Sequence, residues 1–154
     1  MSDELICYCC EQNKDKSAWG PGAWQDEPDR FEFKAHGFPC ILHRNHQGAW
    51  CGYVGLPPGH KFHGKDYDDT NVSVHGGLTY AKKCDGHVCH VAAPGEPEDV
   101  WWLGFDCHHA FDHGPAMEAR LRELRDYPLS NNHYWTMAEA RQETESLAAQ
   151  LRSA

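Results

Sequence analysis

The run Val100-Trp101-Trp102-Leu103 constrains this chain more than any other stretch. Four bulky apolar side chains in a row belong in a core, yet the run falls far short of the roughly 20 residues that cross a bilayer. Gly104 and the polar residues after Phe105 close it, so it reads as a buried strand. Residues 31–35, 38–43 and 48–55 carry similar short apolar runs, and Asn45-His46-Gln47-Gly48 between the last two reads as a hairpin turn. Their alternation is imperfect, as expected of strands covered on both faces. In residues 71–81, Val72, Val74, Leu78 and Tyr80 recur at even positions. That spacing predicts a strand with His75 on the opposite face and a bulge or close backbone approach at Gly76-Gly77.

Helical periodicity belongs to the end of the chain. Met117, Leu121 and Leu124 follow i, i+4, i+7 behind Pro115, a residue suited to a first helical turn. Thr136 and Glu139 have the spacing of a capping box. Beyond them Met137, Ala140, Thr144, Leu147, Ala148 and Leu151 form one stripe. The expected fold is α+β in a single domain, 1–154: a small antiparallel sheet of about four to six strands with C-terminal helices packed on it. Within it, 1–30 is a loop-rich segment, 31–113 holds the sheet and the site, and 115–152 holds the helices.

A formal charge of −9 argues against direct binding to a nucleic-acid backbone. The opening MSDELICYCCEQNK lacks the basic start and apolar core of a signal peptide, so a cytoplasmic protein with no membrane attachment is expected. Eight cysteines are an even number, but in a reducing compartment thiols near histidines are metal ligands or plain buried residues more often than disulfides. The stretch Cys84-x-x-His87-x-Cys89-His90 packs four soft or borderline ligands into seven residues, and Cys7, Cys9 and Cys10 could complete a structural zinc site; the spacing matches no standard finger, so surface or buried thiols without metal are the favoured reading.

The densest chemistry follows the apolar run, in Gly-Phe-Asp-Cys-His-His-Ala-Phe-Asp-His-Gly, residues 104–114. If 106–113 is helical, Asp106, His109 and His113 share one stripe and His108 and Asp112 a second. A carboxylate and an imidazole at i, i+3 can reach one ion, and His75 is the natural distant partner. The ligand set read from the sequence is His75, Asp106 and His109 around zinc or another divalent metal, with His60 or Asp112 as fourth ligand or general base. Lys65, in the Gly/Pro/Asp-rich loop 55–69, is placed to meet a phosphate. Without a metal, Asp–His pairs remain competent for acid–base work. Cys107, between Asp106 and His108, is the one thiol with a nucleophile's neighbours; Cys40 and Cys51 lie in apolar strands.

The segments Gly52-Tyr53-Val54-x-x-Pro57-x-x-His60, His75-Gly76-Gly77-Leu78-Thr79 and Gly104-Phe105-Asp106-Cys107-x-His109-x-x-Asp112, with the late Leu147-Ala148-x-Gln150-Leu151, resemble a group of uncharacterised bacteriophage and bacterial proteins. The resemblance spans about residues 48–151 and singles out His60, His75, Asp106, His109 and Asp112. It implies a phage or bacterial setting, the host cytoplasm if phage-encoded, and by analogy counter-defence or host takeover. The expected function is a small metal-dependent hydrolase acting on a small-molecule or nucleotide-like substrate. The rival is a non-enzymatic phage accessory protein, with structural His/Asp/Cys clusters and an acidic surface that engages a host protein.

Overall fold

Two tight turns build the first three strands. A computed structural model describes residues 10–109, 112–125 and 132–154. β1 (Arg30–Ala35) turns at His36-Gly37, both in the left-handed region with φ 52° and 85°, as a two-residue hairpin requires. β2 (Phe38–Arg44) passes through Asn45-His46-Gln47-Gly48 into β3 (Trp50–Leu56), the turn closing through a Gly48 N–H bond to the Asn45 carbonyl at 3.0 Å. β4 is Tyr80–Lys83 and β5 is Trp101–Asp106. The five strands lie in the order β1-β2-β3-β5-β4, every neighbour antiparallel. Two helices follow, α1 (Pro115–Arg125) and α2 (Met137–Ser153). The architecture is α+β, as the sequence predicts.

Both faces of the sheet are covered, which explains the imperfect alternation of its strands. On one face Leu42, Trp50, Val54, Leu103 and Phe105 meet Ala140, Leu147, Ala148 and Leu151 of α2. Gly52 lets the helix come close: a Cβ there would collide with Thr144 Oγ1 and the Phe105 ring. Fully burying each leucine is worth about 2 kcal/mol, so the stripe of α2 anchors the helix. The start of α2 is fixed by the expected capping box, Thr136 accepting from the Glu139 amide while Glu139 accepts from that of Thr136. On the other face Ile41, Tyr53 and Trp102 lie under an irregular strap, residues 84–100, whose Val88 and Val100 are buried among them.

Three expectations fail here for physical reasons. Residues 71–79 are not a strand, although Val72, Val74 and Leu78 do pack against the core. Their backbone is satisfied by α2 side chains: Ser73 exchanges two hydrogen bonds with the Gln150 amide, and the His75 N–H donates to Glu143 at 2.7 Å. Nor are the described residues of 106–113 helical. β5 continues through Asp106 opposite Cys51, the Cys107 N–H still donates to the Trp50 carbonyl, and helix begins only at Pro115. Finally, Cys84 and Cys89 are joined in a disulfide, Cα atoms 4.6 Å apart, where unbonded thiols are expected from the sequence, and the bond removes both from the alternative of a structural zinc site. Cys7 and Cys9 lie outside the described residues, and Cys10 is an exposed free thiol.

A buried ionic network ties the loop-rich first segment to the sheet. Arg44, at the end of β2, donates from Nε to Asp29, from one terminal nitrogen to the Gly48 carbonyl and the Tyr134 hydroxyl, and from the other to Glu27. Lys16 pairs with the same Asp29, and the Asn13 and Lys14 amides donate to its second oxygen. Glu27 also accepts from the Met137 amide at the start of α2. Burial alone would raise the Asp29 pKa; Lys16, the two amides and Arg44 outweigh it and hold the carboxyl below its ordinary value.

Candidate metal centre

The site forms where the end of β5 meets the 71–79 segment. Val74 to Gly77 make a β-turn closed by the Gly77 N–H on the Val74 carbonyl at 2.9 Å, with Gly76 at φ 72°. A positive φ at the third position is the type II pattern, which favours glycine. Gly76 is needed for a second reason, since a Cβ would overlap the His109 ring. The close backbone approach read from the glycine pair is therefore present, in a turn and not in a strand.

His75, at the second position of that turn, brings Nε2 to 2.7 Å from Asp112 Oδ2. The same oxygen accepts from the His109 backbone N–H at 2.9 Å and lies 3.6 Å from His109 Nδ1. The two imidazoles meet edge to face, centroids 5.4 Å apart. One ligand atom from each of His75, His109 and Asp112 lies within 4.8 Å of the other two. Asp112 is buried at 7% exposure, whereas the side chains of His75 and His109 are 27% and 31% exposed, so the group has a solvent side. Burial works to raise the Asp112 pKa, but the His75 bond, the His109 amide and the imidazole charges prevail and lower it. An anionic oxygen between two imidazoles is the donor set expected of a zinc-class ion.

His109 Nδ1 is buried and has no hydrogen-bond partner among the described residues, although most buried polar atoms find one. Its other ring nitrogen, Nε2, lies 3.5 Å from Asp106 Oδ1. A carboxylate behind an imidazole is the usual support for a metal-binding histidine, holding the ring with its far nitrogen turned to the ion. Asp106 thus stands behind His109, not among the gathered ligand atoms, and Asp112 takes the place the sequence reading gave to Asp106. Thr79 and the His108 amide also donate to Asp106.

The other expected site residues lie elsewhere. His60 has both ring nitrogens engaged, Nε2 with the Leu151 carbonyl at 2.8 Å and Nδ1 with the Phe62 amide at 3.0 Å. Leu151 is about 12 Å along α2 from Glu143, the residue that grips His75. Lys65 accepts from Trp101 through its backbone carbonyl, at the far end of β5, roughly 17 Å of strand from Asp106. His113 stacks on Trp24, centroids 5.3 Å apart, and His108 packs against Gly114. Burial pushes the Cys107 thiol well above its ordinary pKa and does the same to Cys40 and Cys51, so none is a ready thiolate.

Two contributors carry no sequence signal of their own. Trp135 lies along the His75 ring at 4.3 Å, and Glu143 fixes the His75 backbone. Both sit far along the chain and look, in sequence, like ordinary residues around a capped helix. Among the described residues no helix is long and apolar enough to cross a membrane. No protein-family model, curated protein or solved structure matches this chain.

Proposed function

We propose that the protein is a small metal-dependent hydrolase with a divalent ion, zinc by preference, held by His75 Nε2, His109 Nδ1 and Asp112 Oδ2. The observation that carries this reading is the unpartnered His109 Nδ1, buried beside a carboxylate and a second imidazole. Two imidazoles and one carboxylate leave a position for water on the exposed side, the arrangement of catalytic rather than structural zinc. Held by these three residues, a metal would supply an activated water, its pKa lowered toward about 7, and a Lewis acid for a phosphoryl or carbonyl oxygen. Asp106 keeps the His109 ring oriented, Glu143 and Gly76 set the height of His75, and Trp135 walls the site on one side. The substrate is a small molecule, nucleotide-like compounds included. From the motif resemblance we carry over a phage or bacterial setting in the host cytoplasm.

A second reading rests on a different observation. The Asp112 carboxylate already joins His75 to the His109 amide, so the cluster also serves as a tie between three segments. In that case the protein is an accessory or counter-defence factor that binds a host protein without catalysis. The test is a hydrolase screen of zinc-loaded protein against phosphoester, phosphodiester and amide reporters, with His109→Ala and Asp112→Asn in parallel. The enzyme reading expects turnover lost by at least about a hundredfold in folded variants. Equal rates in parent and variants contradict it.

A further inference from the structure

On the face of the sheet that carries Tyr53 and Trp102 lies a cavity of about 430 Å³, lined by none of the metal-cluster residues. That size suits a small ligand. Its lining residues are Asn13, Lys14, Asp29, Arg30, His43, Arg44, Asn45, His46 and His87, and its two arginines are offset by Asp29, Glu27, Glu32 and Glu11. Asp29 spends both oxygens on Lys16, Arg44 and the amides of Asn13 and Lys14. Arg30 donates to the carbonyls of His87 and Cys89 and to Glu32, which pins the disulfide-closed hairpin of the strap at the cavity's edge.

Three groups are left over. The Lys14 ammonium and the imidazoles of His46 and His87 make no hydrogen bond or ion pair among the described residues. They come from three separate places: the first segment, the β2–β3 turn and the strap. His43 reports the local field. Burial is the main cause that lowers its pKa to about 4; the positive charges of Arg30, His87 and Lys14 add to it, opposed by the Arg44 carbonyl. Its ring nitrogens are already occupied by that carbonyl and by the Tyr53 hydroxyl, so it forms wall and donates nothing inward.

We propose that this cavity binds a small phosphate monoester, its phosphate held by Lys14, His46 and His87, while Arg30 and Arg44, already paired with carboxylates, only frame the wall. Three donor side chains on one cavity wall, drawn from separate segments, suit the three terminal oxygens of a phosphate monoester. The volume leaves room for the organic part. The site is independent of the metal cluster, so either can fail without the other.

The experiment is an NMR titration of the full chain with inorganic phosphate, glycerol 3-phosphate and glycerol, following the histidine ring signals. The proposal expects saturable shifts at His46 and His87 with phosphate and with its ester, the ester at least as tight, and none with glycerol. Lys14→Ala and Lys14→Gln, each checked for folding by circular dichroism, should each weaken binding about tenfold. Absence of saturation overturns the proposal, as do shifts confined to His75 and His109. Binding of phosphate but not its ester contradicts the assigned ligand class, and unchanged affinity in both folded Lys14 variants contradicts the assigned donors.

Discussion

Among the described residues, the polar clusters around Arg44 and around Asp112 are built on opposite terms. Around Arg44 the donors find acceptors: its guanidinium serves Asp29, Glu27, Tyr134 and Gly48, and Asp29 is surrounded by Lys16 and two amides. Around Asp112 the carboxylate is equally well served, but His109 Nδ1 beside it is not. A saturated network holds chain segments together and has nothing left with which to bind. An unsatisfied atom beside an anion, on a partly exposed surface, costs stability and offers a ligand position. In the function proposed above, the first cluster is the scaffold and the second is the place for chemistry.

The largest effect is expected at the saturated cluster. Arg44→Ala leaves buried Asp29 with Lys16 as its one remaining cation and half-buried Glu27 with none, and should cost about 3 kcal/mol in urea unfolding. A loss under about 1 kcal/mol would remove the scaffold half of the comparison. Next comes acid. Asp29 and Asp112 both have folded pKa values below the ordinary 3.8, so the unfolded chain takes up protons first as pH falls. Their stabilisation is complete above the ordinary carboxyl range and is lost as pH drops through the lower folded values. Urea midpoints should therefore decline below about pH 4, and less steeply in Asp29→Asn, which lacks one of the two groups. The smallest stability effect belongs to His109→Ala, within about 1 kcal/mol of the parent, because its Nδ1 makes no bond to lose.

The sheet and α2 were legible because their signals are local. Short apolar runs, a turn at Asn45–Gly48 and the Thr136/Glu139 cap all act within a few residues. The 71–79 segment misled because its even-numbered apolar residues are buried against the core without a strand partner, their backbone served by Gln150 and Glu143 some 70 residues away. The i, i+3, i+7 spacing after Phe105 misled likewise. The β3–β5 ladder held Asp106 extended, which set it behind His109 and brought Asp112 forward. His75, His109 and Asp112 were each visible as residues; which of them would meet was decided by a turn and a strand end. The cysteine stretch was read by ligand type, whereas a hairpin of Asp85 to Val88 draws Cys84 and Cys89 close enough to join.

The central claim is best tested by zinc binding to the purified chain, measured by competition with a colorimetric chelator, in the parent and in His109→Ala, with Asp106→Asn beside them. The account predicts one ion per parent chain, none retained by folded His109→Ala, and affinity weakened about ten- to a hundredfold in Asp106→Asn through the support it gives the His109 ring. Zinc bound equally by all three proteins, or by none, would contradict it.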